Sequence, residues 1–232
     1  MYLDSGRRRR SDPWRALFLL MLVIGAGYVY TLIDREEIES PFVPTPTPTR
    51  SAYSYVVEAE ALYWEGNLAG AIQAFEAAVE LDPTDVSIYV PLVRLLALKG
   101  RHREAIELGE HGTELAREYA PIWAALCMAY DWDGKVPAAI DACRRAIGLD
   151  PTYAEGYAFL AEAYVDAVRW DDAVEAVQTA LELAPNSVDA RRNHGYVLEM
   201  MGNWSGAVDA YRSALEVHPN LAYIHVALGL NY

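Results

Sequence analysis

Cysteine is nearly missing from this chain, with two in 232 residues. Two thiols build neither a disulfide framework nor a four-cysteine zinc site. Basic charge is scarce over most of the length. Residues 51–232 carry twelve Lys and Arg against twenty-seven Asp and Glu, a net of −15, whereas residues 1–50 carry seven Arg against six acids, a net of +1. A body that acidic is repelled by a phosphate backbone, which excludes nucleic acid as its partner. A Gly-rich phosphate loop is lacking, because the glycines stand at helix ends or repeat positions. The five histidines (His102, His111, His194, His218 and His225) form no H-E-x-x-H and no Cys/His cluster, so neither a metal nor a cofactor is expected. No catalytic constellation emerges, and the chain reads as a non-enzyme. Acid pairs such as Asp171-Asp172 fall in first turns of helices, where negative charge suits the helix dipole.

What the sequence does contain is 53% hydrophobic and 22% charged residues, enough apolar surface for a folded core. It divides into three parts. Residues 1–15 are a basic tail with Arg7, Arg8, Arg9, Arg10 and Arg15. Residues 16–33 hold no charge over 18 positions. As a helix they span roughly 27 Å, close to a hydrocarbon core of about 30 Å. Asp34, Glu36, Glu37 and Glu39 follow. The positive-inside rule then sets the N-terminus in the cytoplasm and the rest on the extracytoplasmic side of the cytoplasmic membrane, with the lipid bilayer contacted through 16–33. A cleaved signal peptide, cut near Gly25-Ala26-Gly27, is the other reading. The apolar run continuing through Tyr28, Val29, Tyr30 and Ile33 favours an uncleaved anchor, and both readings export the body. Residues 34–51 form an acidic and then Pro/Thr-rich linker. Its SPFVPTPTPTR stretch favours extended polyproline II and reaches roughly 34 Å.

From residue 52 a pattern recurs every 34 residues. Gly66, Gly100, Gly134 and Gly202 share one position, and Val168 fills the remaining slot. Ala71, Ala105, Ala139, Ala173 and Ala207 form a second column; Ala78, Gly112, Ala146, Ala180 and Ala214 form a third. Pro83, Pro151, Pro185 and Pro219 close their units. Each unit reads as two helices, the glycine ending the first and the proline stopping after the second. The alanines let antiparallel helices approach, and Tyr55, Tyr89, Trp123, Tyr157, Phe75 and Tyr211 fill the spaces between.

The segments GNLAGAI, GRHREAI, GKVPAAI, VRWDDAV and GNWSGAV, with LDP, LDP, LAP and VHP at unit ends, resemble the tetratricopeptide repeat family over about 52–232. The resemblance implies an all-α fold, a right-handed α-solenoid of helix-turn-helix repeats behind a single N-terminal transmembrane helix. It divides 52–221 into units 52–85, 86–119, 120–153, 154–187 and 188–221, and leaves 222–232 as the first helix of an incomplete sixth. The second unit has Gly109 where an aromatic is usual, so a bend or looser packing is expected there. The apolar sixth helix either continues into a longer protein or caps the array itself.

By the same resemblance, first helices line a concave groove for an extended peptide or a partner helix. The groove candidates are Tyr53, Val56, Glu60, Arg94, Met128, Asp131, Glu162, Asp166, Arg192, Asn193 and Tyr196. The Lys/Asn clamp that some family members use for acidic C-terminal tails is not matched, since those slots hold Val56, Glu60, Val90 and Arg94. Aromatics mixed with carboxylates favour a partner segment with basic and apolar residues; the same acids would also keep an exposed face soluble. Trp64 and Trp132, at the ends of first helices, read as packing residues, as does His102. Cys127 and Cys143 fall on core-facing positions about a helical turn apart and are expected to be free, buried thiols; an exported compartment permits the alternative, a bond between them, if their Cα atoms come within about 7 Å. The function expected is a membrane-tethered scaffold that binds a protein partner. The N-terminal part of a larger enzyme and a subunit of an integral membrane complex are the alternatives.

Overall fold

The structure, a computed structural model, describes residues 13–34 and 50–231. The arginine run at 7–10 and the Pro/Thr stretch lie outside the described residues. Two units are present, one ending at Thr49 and one running from Arg50 to Tyr232.

In the first unit, α1 (Pro13–Asp34) is a single helix. Its segment Pro13–Leu32 has a mean hydropathy of 1.8 over 20 residues, and none of it is buried. By length and composition it is a candidate membrane span, a test that a signal sequence also passes.

In the second unit the described residues are helical, with no strand. The helices are α2 (Ala52–Trp64), α3 (Leu68–Leu81), α4 (Val86–Leu98), α5 (His102–Leu115), α6 (Ala120–Trp132), α7 (Val136–Leu149), α8 (Ala154–Asp166), α9 (Trp170–Leu183), α10 (Val188–Met200), α11 (Trp204–Val217) and α12 (Ala222–Leu230). Local chemistry sets their ends. After the first helix of each pair, Gly66, Gly100, Gly134 and Gly202 take φ between 74° and 82°. Only glycine reaches this left-handed region without cost. Val168 is forced into it at φ 59°. Asn67 and Asn203 then accept from the amides of Gly70 and Gly206, capping α3 and α11. Asp82 and Asp150 fold the loops between units by accepting from the Thr84 and Thr152 amides and hydroxyls.

Every alanine in both periodic columns is fully buried. They form the seam where paired helices meet, as ridges-into-grooves packing needs. The second unit is not uniformly loose. α4 and α5 are the least closely packed pair, but α5 presses hard on α6. A Cβ at Gly109 would lie 2.9 Å from Leu126 Cδ1, and one at Gly112 would lie 2.8 Å from Ile122 Cγ1. The missing aromatic therefore permits a closer approach to the next unit. The expectation of free thiols is also corrected. Cys127 on α6 and Cys143 on α7 form a disulfide, with Cα atoms 5.2 Å apart. Ala124, Ala139 and Ala142 are all buried along this pair and let the two backbones approach that far.

First helices α4, α6, α8 and α10 stand side by side, while α2 and α12 depart from the row. The departure of α2 leaves a cavity of about 120 Å³ bordered by Glu60, Tyr63, Phe75, Pro91, Arg94 and Leu95. The end of α2 instead meets the loop after α11. Asn220 Nδ2 donates to the Trp64 carbonyl at 2.9 Å, and the Trp64 ring stacks on His218 at 4.4 Å. The array thus curves until its first and fifth units touch.

Candidate functional site

The inner side of this curve is a trough of about 660 Å³. Its floor is Asp131 and Trp132 at the end of α6, Glu162 and Asp166 on α8, and Arg192 and Tyr196 on α10. Tyr223, Ala227 and Leu230 on α12 form one wall, with His102, Glu199 and Tyr211 at other edges. The 34-residue period explains the convergence. Asp131 and Val165, or Glu162 and Tyr196, are equivalent positions on successive first helices, so their neighbours share one face.

At the centre is a buried ion pair. Arg192 Nη1 and Nη2 donate to the two Glu162 oxygens at 2.7 and 2.6 Å, and both side chains are 8% exposed. Trp132 Nε1 also donates to Glu162 at 3.1 Å, and the Arg192 guanidinium lies 5.6 Å from the Trp132 ring centroid. Burial works against the Arg192 charge, but Glu162 outweighs it and keeps the guanidinium protonated. Removing one member of such a pair costs about 3–5 kcal/mol. Tyr196 donates its hydroxyl to Asp166 at 2.7 Å; burial first, then Asp166, holds that phenol well above its usual pKa.

Arg192 Nε has no hydrogen-bond partner, and neither has one oxygen of Asp131. Asp131 is 4% exposed, and the oxygen without a partner is its Oδ1. Burial, then the nearby charges of Glu162 and Asp166, push its pKa up to about 8 against a weaker pull from Arg192. At neutral pH this carboxyl holds its proton.

The structure brings together Asp131, Glu162, Asp166, Arg192 and Tyr196 of the residues expected in the groove. Others fall elsewhere. Met128 and Asn193 are 2% and 0% exposed and offer no surface to a partner. Each turns into the packing between helices rather than into the trough. Tyr53 stands exposed on the first turn of α2, and Glu60 borders the smaller cavity. Arg94 is bound to Asp189 at 2.5 Å across the array. Burial opposes the Arg94 charge, and Asp189 more than compensates. Trp132, expected only to pack, both lines the trough and orients Glu162. Asp189, Glu199 and Tyr223 carried no sequence signal. Their positions depend on how far the array curves, which a 34-residue period does not encode.

Tetratricopeptide repeat models match residues 62–129 and 160–222. No curated protein matches the chain. Among solved structures, the fold is shared with TTC0263, a thermophilic TPR protein of Thermus thermophilus, at 21% identity and a TM-score of 0.65. That match covers 78% of this chain and 98% of the other. Two crystal structures of MamA align at 27% and 28% identity, each with a TM-score of 0.46. They cover 74% and 71% of this chain and 94% and 96% of theirs.

Proposed function

Since residues 62–129 and 160–222 are tetratricopeptide repeats, we propose that the chain is a membrane-tethered scaffold whose trough holds a segment of another protein. The observation that carries this reading is the trough itself. It is an open, acidic and aromatic-lined hollow on the inner face of a repeat array, and it is large enough for several side chains. We read its chemistry as recognition rather than catalysis, with Glu162 and Asp166 tied to Arg192, Trp132 and Tyr196 in fixed pairs.

The tether is read from α1, with its apolar stretch, five arginines before it and acids after it. Such a charge distribution supports a cytoplasmic N-terminus and a body outside the cytoplasmic membrane. The Cys127–Cys143 bond supports the same side, because disulfides persist in oxidising compartments.

The test is co-purification of the full chain from membranes. Asp166→Arg reverses charge at an exposed trough position, and Asp141→Arg does so on α7, away from the trough. A partner that is retained by Asp141→Arg and lost by Asp166→Arg supports the reading. A partner retained by both overturns it.

A further inference from the structure

We propose that the Asp131 carboxyl is the seat for one guanidinium or ammonium group, the side chain of an arginine or lysine carried in the partner polypeptide. The inference rests on the trough being the binding surface and specifies the chemistry that fills its centre.

Three carboxyl groups share this part of the trough, and one guanidinium serves them. Arg192 has both Nη atoms on Glu162. Asp166 takes the Tyr196 hydroxyl. Nothing donates to Asp131 Oδ1, although the side chain is almost wholly buried. Buried polar atoms are nearly always satisfied in native proteins, and an orphan costs about 1–3 kcal/mol. Oδ1 itself is covered, but Asp131 borders the open trough, so a turn of its carboxyl presents it to a donor seated there.

The form of that donor follows from the surroundings. A neutral group would satisfy Asp131 but leave the surplus of acid uncompensated; a cation does both. The described residues contain no group of three His, Cys, Asp or Glu arranged to hold a metal ion, which favours an organic cation. Trp132, Tyr196 and Tyr223 offer aromatic faces on which an aliphatic stem and its charged head can lie. Ala227 and Leu230 form an apolar wall beside them. The remaining titratable groups along the trough are His102 from α5, Glu199 from α10 and Tyr211 from α11.

Seating a cation changes the protonation of Asp131. Without a partner, the carboxyl keeps its proton to about pH 8, owing to burial first and to Glu162 and Asp166 next. A guanidinium within hydrogen-bond distance favours the ionised form and expels that proton. Binding is therefore tighter at higher pH across the neutral range.

The experiment uses the full chain in lipid nanodiscs, labelled with ¹³C at aspartate carboxyls. Asp131→Asn identifies the resonance and, as a neutral near-isostere, retains the fold. The probe is N-acetyl-arginine amide, with N-acetyl-citrulline amide as an uncharged control of the same shape. The Asp131 titration midpoint is expected to fall by at least one pH unit with the arginine probe and to stay put with citrulline. A midpoint that ignores arginine, or moves equally with citrulline, overturns the proposal. Co-purification separates this outcome from failure of the groove. A partner that Asp166→Arg loses but Asp131→Asn retains at full affinity removes the Asp131 seat and leaves the groove standing.

Discussion

The indole of Trp64 stacks on the imidazole of His218 with ring centroids 4.4 Å apart and planes 10° from parallel. One residue ends α2 and the other caps α11, so this contact joins the two extremes of the repeat array. Tyr63 meets the same imidazole edge-on at 4.7 Å. His218 is fully buried, and burial lowers its pKa from 6.5. A base depressed in this way favours the closed array when neutral. Its contribution is complete above pH 6.5 and is lost as pH falls through the lower folded-state value. Spin labels at Glu65→Cys and Glu216→Cys should give one short distance at pH 7.5 that broadens at pH 5. Trp64→Ala should give the broad distribution at both pH values. A distance that neither acid nor Trp64→Ala alters would mean that the stack does not hold the array closed.

Val168 takes the left-handed conformation that its four equivalents reach as glycines. A β-branched residue there is strained by about 1–2 kcal/mol. Its side chain is 67% exposed, so replacement sacrifices little packing. Val168→Gly should raise stability by about 1 kcal/mol, after glycine's greater loss of chain entropy is deducted. Urea unfolding of the two proteins side by side measures this. A lower midpoint for the glycine variant would refute the strain.

The Cys127–Cys143 bond closes a loop with a sequence separation of 16. Closing about 15 residues restricts the unfolded chain by about 3 kcal/mol. Dithiothreitol should lower the urea midpoint of the native protein by a corresponding amount. It should leave Cys127→Ala/Cys143→Ala unaffected. Equal midpoints for the native protein with and without reductant would show that the bond adds nothing.

Asp131 makes the protein less stable as pH rises. Its folded-state pKa is raised from 3.8 to about 8 by burial and by Glu162 and Asp166, with Arg192 opposing. The folded state thus keeps a proton that the unfolded chain has shed. Stability from this group is full below pH 3.8 and declines until about pH 8. Asp131→Asn removes the ionisation. Its advantage over the native protein should grow steadily between pH 4.5 and 8.5 in urea titrations. Parallel pH profiles would place Asp131 at an ordinary pKa.

The helix pairs were legible in the sequence because their signals are local. A left-handed turn needs Gly66, Gly100, Gly134 and Gly202, and a close helix seam needs the buried alanine columns. Half of the site was legible on the same grounds. Asp131, Glu162, Asp166, Arg192 and Tyr196 fall on one face because 34-residue units repeat that face. What was not legible depends on curvature. The Arg94–Asp189 pair spans 95 residues, and the Asn220–Trp64 bond spans 156. Both follow from small packing differences between units, such as Leu126 against Gly109, added along the array. Met128 and Asn193 erred for a related reason. Asn193 is one position around its helix from Arg192, and Met128 lies a turn before Asp131 and Trp132; the packing of adjacent first helices covers both. The cysteine pair depended on an interhelical distance, which a sequence period does not set.

Photocrosslinking in intact cells tests most directly whether another polypeptide lies in the trough. Leu230, 77% exposed on the trough wall, and Asp141, exposed on α7, are each replaced by a benzophenone amino acid. The predicted result is a discrete protein adduct from position 230 alone, whose attached peptide contains lysine or arginine. The same adducts from both positions, or none from 230, would contradict the account.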